Sequence, residues 1–209
     1  MSDLPAFFRQ ALPALSSPRL FLRAFDPADA EILEGLINDP QIAAGTLAIP
    51  HPYPEGAGLP WIEGHAESWR VGKGATWAVT RRGAMSASLP NGAMSASLPN
   101  GAMSASLLGA MSLRLTLAHR RGEIGYWIAR AAWGNGYATE AVRAVIAFAF
   151  DDLGLHRVDA HHFVENTASG QVMRKAGMRS EGRRRGAFFR AGVPRDVEEY
   201  AILRTDPRG

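Results

Sequence analysis

The stretch GEIGYWIARAAWGNGYATEAV, residues 122–142, decides how the rest of the chain is read. Its first part, EIGYWIA (123–129), has the β-branched and aromatic content of a strand. A short turn then holds Gly134 and Gly136. A run with Ala141, Val145 and Phe148 at helical spacing follows at once and predicts a helix over 136–153. A strand running through a glycine turn into a helix start makes an anion site. The first amides of a helix lack intrahelical partners, the helix dipole is positive there, and glycines let a pyrophosphate approach the backbone. Each such dipole contact is worth about 0.3–1 kcal/mol, so several amides must converge. Taken alone, the same turn reads equally well as the tight entry to a core helix.

Strands and helices surround this unit on both sides. Upstream, RLFLRAF (19–25) alternates as a half-buried strand does, and DPADAEILEGLIN (26–38) is an amphipathic helix with Ile32, Leu33 and Leu36 on one face. Residues 50–60 are rich in Pro and Gly and read as a loop, 61–71 as a second helix, and TWAVT (76–80) as a strand. Beyond these, SLRLTLAH (112–119) and 157–164 are strand-like, and 166–176 is a short helix capped by Asn166 and ended by Gly177. Strands over 179–190 and 198–203 complete the pattern. The order implies one domain over residues 1–209, of α/β or mixed α+β class, with a mixed sheet.

A chain of 209 residues is long enough for one well-buried core. It has no cysteine, which excludes disulfides and thiolate metal sites and fits a reducing, cytoplasmic compartment. The start, MSDLPAFFRQALPALSS, lacks a basic segment followed by a long apolar run, so neither a signal peptide nor a membrane span is expected. The net charge of +3 is mild, and the RRR run at 183–185 is too short for a nucleic-acid stripe. It reads as a solvated face or as a contact to an anionic ligand, and no direct nucleic-acid binding is expected. His161 and His162 are adjacent on a predicted strand and point to opposite faces; no spacing in the chain suggests a metal site.

Between TWAVT and SLRLTL lies a repeat. GAMSASLPN occurs at Gly83 and Gly92, GAMSASL at Gly101, and GAMS again at Gly109, where it runs into LRLTL. The last copy reads as the start of the strand, and 83–108 as a tandem insertion in a strand–strand connection. No charged or aromatic residue occurs from 83 to 112, so no acid, base or metal ligand of the usual kind resides there. Asn91-Gly92 and Asn100-Gly101 favour hairpin turns, whereas Pro90 and Pro99 each remove a ladder donor, which favours a loop.

WGNGYATEA (133–141), followed by VENTASGQVMRKAGM (164–178), resembles the GNAT acyltransferase superfamily, and within it most the ribosomal-protein N-terminal acetyltransferases. RLFLR (19–23) and GVPRDVEEYAILR (192–204) are similar to that family as well. The resemblance implies a central, mixed, splayed sheet flanked by helices, acetyl-CoA as co-substrate, and transfer of the acetyl group to a primary amine by direct attack. The family motif is Gln or Arg, two residues, Gly, one residue, then Gly or Ala. Its glycine falls on Gly136 and its last small residue on Ala138. By this likeness the amides of Trp133, Gly134, Asn135, Gly136, Tyr137 and Ala138 hold the pyrophosphate. Trp133 stands where the family has Gln or Arg, a departure that removes one side-chain contact. The pantetheine arm would lie along Trp127, Ile128 and Ala129, pairing through backbone groups.

Asn166 and Ser169 match the family's Asn-x-x-Ser. The resemblance gives Asn166 a contact to pantetheine and places Ser169 near the sulfur, where its hydroxyl would hydrogen-bond or protonate the departing thiolate. An N-cap and an ordinary first-turn serine are the alternative. For the general base, Glu123 is the first candidate, directly or through water, with Glu67 and His65 on the second helix next. A protein α-amine titrates near about 7.7–8.0 and is partly neutral at pH 7, whereas a lysine, near about 10.4, needs a committed base. The absence of an obvious base therefore tilts toward a protein N-terminal α-amine, including a ribosomal-protein N-terminus. A small-molecule amine (polyamine, amino acid or antibiotic) and a non-catalytic CoA-binding domain are the other readings, in a monomer or a homodimer.

Overall fold

The computed structural model describes residues 5–82 and 107–208. Its strands are β1 (Leu15–Ser16), β2 (Leu20–Arg23), β3 (Gly74–Arg81), β4 (Leu107–Thr116), β5 (Arg121–Ile128), β6 (Arg157–Phe163), β7 (Arg179–Arg190) and β8 (Val193–Leu203). Its helices are α1 (Ala30–Ile37), α2 (Pro40–Gly45), α3 (Gly58–Arg70), α4 (Tyr137–Asp151) and α5 (Thr167–Lys175). The strands form one open sheet in the order β1-β2-β3-β4-β5-β6-β8-β7. Every neighbouring pair is antiparallel except β5 and β6. This is the mixed, helix-flanked sheet the sequence predicts. None of the helices described is long and apolar enough to cross a membrane.

Local chemistry sets each entry. Asp26 caps a 3₁₀ turn by accepting from the Ala28 amide at 2.9 Å, and Asp29 returns a bond to the Asp26 amide at 2.9 Å. The helix expected over 26–38 therefore starts as a 3₁₀ turn and becomes α-helical at Ala30. The fully buried Asp29 also takes a two-pronged bond from Arg23, at 2.6 and 2.8 Å. Removing one partner of such a pair leaves an unmatched buried charge, a loss of about 3–5 kcal/mol.

The two faces of the sheet bury different sets. On one, Leu22, Trp77, Met111, Leu113 and Ile124 pack with Val142, Val145, Ile146 and Phe150 of α4. On the other, Ala78, Ala110 and Trp127 meet Leu33 and Ile37 of α1 and Ile42 of α2. Two buried tryptophans anchor the N-terminal segment: Trp69 donates to the Gln10 carbonyl at 2.9 Å and Trp77 to that of Pro13 at 2.8 Å.

Two features position the site. The first is a parting of strands. β5 is paired with β4 along its whole length, but with β6 only where Arg121–Glu123 meet Arg157–Asp159. Beyond Glu123 the two strands diverge, giving the splay that the family likeness implies. The second is the β7–β8 hairpin, closed by Ala191 (φ +48°) and Gly192 (φ +76°) between the paired Arg190 and Val193. Positive φ at both central residues is the turn that matches strand twist in a two-residue hairpin. It makes β8 longer than the expected 198–203.

β4 begins at Leu107, opposite Thr80, and Leu107 and Leu108 are only 5% and 8% exposed. These two residues therefore belong to the sheet, and the segment expected as 83–108 ends two residues earlier; its remainder, 83–106, lies outside the described residues. The last GAMS copy is within the strand, as read from the sequence. A Cβ on Gly109 would come to 2.2 Å from the Trp127 carbonyl oxygen, so only glycine fits there. At the other end β4 stops at Thr116, and 117–119 form a 3₁₀ turn rather than more strand.

Candidate functional site

The glycine turn forms as the sequence suggests. Gly134 and Gly136 adopt φ +76° and +78°, a region that disfavours side chains. Gly136 is the N-cap of α4 and no side chain caps that helix. The amides at its start are thus left to a ligand, and a Cβ built on Gly134 would meet nothing within 4 Å. Asn135 braces the turn, its amide donating to the carbonyls of Ala132 and Trp133 at 3.1 and 3.0 Å. Trp133, nearly half exposed, folds its indole back to donate to the Ile128 carbonyl at 2.6 Å.

Glu140 in the first turn of α4 would oppose an anion. Burial alone raises its pKa, but hydrogen bonds from Ser17 and Arg19 hold the carboxyl below its ordinary value, and Arg19 offsets its charge. Arg19 also donates to the Asn135 carbonyl at 3.0 Å and lies 5.0 Å from the Tyr137 ring. A cavity of about 590 Å³ opens over the turn, lined by Trp133, Gly134, Gly136, Tyr137 and Ala138 on one side and by Asn166, Ser169 and Lys175 on the other. Uncapped amides, open space over glycine and a positive dipole end suit the pyrophosphate of CoA.

The open edge of β5 supplies the next part. The Ala129 amide donates to the Leu108 carbonyl at 2.7 Å, which fixes the alternation of the β4–β5 ladder. Residues 125 and 127 share that side, so 124, 126 and 128 direct their amides and carbonyls toward the gap left by β6. Since Trp133 uses the Ile128 carbonyl, the Tyr126 amide and carbonyl and the Ile128 amide are the groups on offer to a pantetheine arm. Trp127 and Ala129, also expected to pair with it, turn their main-chain groups to β4. The Trp127 side chain lines the cavities on both sides of the gap, and its buried indole N–H has no hydrogen-bond partner among the described residues.

Beyond the gap lies a larger cavity of about 840 Å³. The two cavities share Gly45, Thr46, Tyr126, Trp127, Phe163 and Ser169. At this junction the Tyr126 hydroxyl donates to the Ser169 backbone carbonyl at 3.3 Å, and burial pushes the phenol up to about 12. Asn166 does cap α5, its oxygen accepting from the Ser169 amide at 3.2 Å. Its amide nitrogen reaches the other way and donates to the Gly45 carbonyl at 3.1 Å. Both polar atoms of Asn166 therefore have protein partners.

Glu123 stands at the vertex where β5 and β6 part, on the floor of the larger cavity. Its oxygens lie 3.6 Å from His161 Nδ1 and 3.7 Å from Arg114, beyond hydrogen-bond length. His161 is stacked on Phe188 with ring centres 4.9 Å apart. The other floor carboxylates are committed: Asp159 to Arg121 at 2.7 Å and Glu199 to Arg184 at 2.5 Å. His65 also lines this cavity, its ring 4.2 Å from that of Trp61, and burial lowers its pKa to about 4. Glu67 does not line it; that carboxylate is exposed and bound to Arg70 at 2.7 Å, which removes it as a base candidate. His162 faces the opposite side, as alternation requires, closing against Gly170, where a Cβ would lie 2.6 Å from its Nε2.

Sequence reasoning did not single out Tyr126 or the segment 43–49. For Tyr126 a signal was available: it shares strand parity with Ile124 and Ile128 and is the polar member of that set. For 43–49 there was none, since its role comes from contacts with residues more than a hundred positions away.

Residues 19–179 match the family model described as an acetyltransferase (GNAT) domain. An uncharacterized N-acetyltransferase of Bacillus subtilis (strain 168), YoaA, is 27% identical over 193 residues, covering 92% of this chain and 97% of that protein. YdaF of the same organism, provisionally named a ribosomal N-acetyltransferase, is 36% identical over 104 residues, 49% of this chain and 57% of that one. The solved structure of RimL, a ribosomal L7/L12 α-N-protein acetyltransferase in complex with coenzyme A, aligns with a TM-score of 0.74 at 19% identity, covering 91% of this chain and 98% of that chain. That last likeness is one of fold.

Proposed function

The chain belongs to the GNAT acetyltransferase family and is an N-acetyltransferase dependent on acetyl-CoA; on that premise we propose that its acceptor is the free α-amine of a polypeptide. Acetyl-CoA supplies a thioester whose carbonyl carbon the amine attacks. The amides at 134–138, at the turn and the start of α4, take the pyrophosphate, whereas the Trp133 amide, expected among them, already donates to the Arg130 carbonyl at 3.1 Å. The open-edge groups of Tyr126 and Ile128 take the pantetheine amides. Ser169 and Tyr126 then stand where the thioester reaches the junction of the two cavities. Holding both reactants at one point converts a bimolecular encounter into a local one.

Glu123 takes the amine proton, directly or through water, and the amine's own pKa near about 8 keeps that demand small. The departing thiolate is met by a hydroxyl, from Ser169 or from the neutral phenol of Tyr126. The observation that carries the acceptor reading is the floor of the larger cavity. Asp159 and Glu199 each have a close arginine, and Arg114 and His161 stand near Glu123. A polyamine needs uncompensated negative charge, which this floor does not present. A peptide start, with one amine and a run of uncharged backbone, suits a charge-balanced cleft of this size. YdaF's name points to the same class.

A panel of acceptors tests the proposal, with release of CoA thiol as the readout. Peptides with free Ala or Ser termini are expected to turn over, and spermidine, free amino acids and aminoglycosides to be poor. Faster turnover of any small amine than of every peptide would overturn the acceptor class and leave the family assignment intact.

A further inference from the structure

Residues 43–49 wall the point where the two cavities meet: Gly45 and Thr46 line both, and Leu47, Ala48 and Ile49 line the larger. The segment runs from the end of α2 toward the loop before α3, outside the sheet. Locally, Thr46 reaches back to the Ile42 and Ala43 carbonyls, and the Ala43 amide donates to the Asp39 carbonyl at 3.0 Å. Four carbonyls of the segment are held by side chains from much later in the chain. Arg190 Nη2 donates to the carbonyls of Ala43 at 2.5 Å and Ile49 at 3.1 Å, and its Nη1 to that of Leu47 at 3.1 Å. Asn166 holds the Gly45 carbonyl lying between them. A guanidinium suits this task because its donors are fixed in one plane and splayed apart.

Arg190 is the last residue of β7, and the turn that follows fixes where it points. Ala191 sits at φ +48°, a conformation that residues with side chains rarely adopt, and such geometry persists where the surroundings impose it. A hairpin tip made only to connect two exposed strands has no need of three carbonyl contacts on a distant loop.

We propose that Arg190 is a positioning residue for acetyl transfer: it fixes segment 43–49 as the roof of the acceptor cleft without touching amine or thioester. The inference rests on the larger cavity being the acceptor site. Loss of the clamp loosens the roof, weakens acceptor engagement and leaves the pyrophosphate turn, on the other face of the junction, as it was.

The experiment pairs local hydrogen exchange with kinetics on Arg190→Ala and Arg190→Lys, using a synthetic peptide with a free N-terminal serine as probe. In Arg190→Ala, amide exchange within 43–49 should accelerate on the order of tenfold while α4 exchange is unchanged. The peptide KM should rise about five- to twentyfold, with the acetyl-CoA Kd from calorimetry held within about twofold. Arg190→Lys, whose single ammonium cannot span three carbonyls, should recover part of both effects; should the alanine variant fail to fold, this variant carries the same readouts. Unchanged exchange in 43–49, or a parallel loss of acetyl-CoA affinity and peptide KM, overturns the inference. Ser112 lines the larger cavity, and Ser112→Trp separates the two levels: if it leaves the peptide KM untouched, the acceptor-site reading is the one that has failed, and the inference goes with it.

Discussion

The Tyr126 hydroxyl donates to the Ser169 backbone carbonyl at 3.3 Å, spanning the gap that opens where β5 and β6 part. Tyr126 and Ser169 both line the junction of the cavities, and substitution separates their roles. Tyr126→Phe should lower kcat on the order of a hundredfold, the smaller end of what a positioned proton donor contributes, with acetyl-CoA affinity within about twofold. Ser169→Ala should have the lesser effect on kcat if the phenol is the donor and the greater if the serine is. Thiol-release kinetics beside calorimetry read this out, and equal loss of rate and affinity in both would make them binding groups only. Because burial pushes the phenol up to about 12, its ionisation should not appear in a pH–rate profile below about pH 10.

Gly136 combines a positive φ with the place nearest the expected pyrophosphate. Gly136→Ala should raise the acetyl-CoA Kd about tenfold with a modest fall in Tm, since a Cβ there meets only the Arg19 guanidinium, at 3.5 Å. Gly136→Val adds branching to a left-handed position and should cost more stability. Calorimetry at matched folded fractions tests the placement, and unchanged affinity in the alanine variant would remove the turn as the phosphate site.

His65 predicts an acid-labile fold. Burial lowers its pKa to about 4 from an ordinary 6.5, so below pH 6.5 the unfolded chain binds a proton that the folded chain refuses. Stability should therefore fall as pH drops from about 6.5 toward 4. His65→Phe keeps an aromatic ring against Trp61 and Phe25 and lacks the titrating nitrogen, so its stability should fall less over that window. Urea unfolding at several pH values gives the comparison, and identical slopes for the two proteins would refute it.

Removing both complete nine-residue units, residues 83–100, leaves Arg82 and Gly101 to Ser106 to join β3 and β4. Acetyl-CoA binding should be retained and thermal stability equal or higher, because a shorter connection loses less entropy on closure. Extending a deletion through Leu108 should instead destabilise, since it removes two buried residues and the Leu107–Thr80 pairing. A lower Tm for the shorter deletion would mean the units contribute to the fold.

The parts legible in the sequence are those whose cause is local. The turn at Gly134 and Gly136 and the cap at Asn166 announce themselves within a few residues, and long α4 does so by period. α2, six residues long, is too short to show a period and went unseen within 38–49. The start of β8 is not marked by alternation, because Val193 and Pro194 are both exposed and Arg195 and Asp196 both half-buried. The second half of Asn166's role, its bond to Gly45, joins residues 121 apart, and the Arg190 clamp joins residues 147 apart at Ala43. Contacts of that kind join elements far apart in the chain, so no local pattern announces them.

Where β4 begins decides which copy of the repeat the sheet can take. Seating the copy at Gly101 in the place of Gly109 would bring Pro99 to the Leu107 position, Asn100 to that of Leu108 and Ala105 to that of Leu113. The last exchange alone costs about 2–5 kcal/mol, and the first two add a missing donor and a buried amide. The copy at Gly92 carries the same Pro-Asn prefix. The sheet thus admits the final copy and rejects these upstream ones, whatever their number. Gain or loss of nine-residue units upstream of Leu107 therefore leaves the register of β4 against β3 and β5 unchanged.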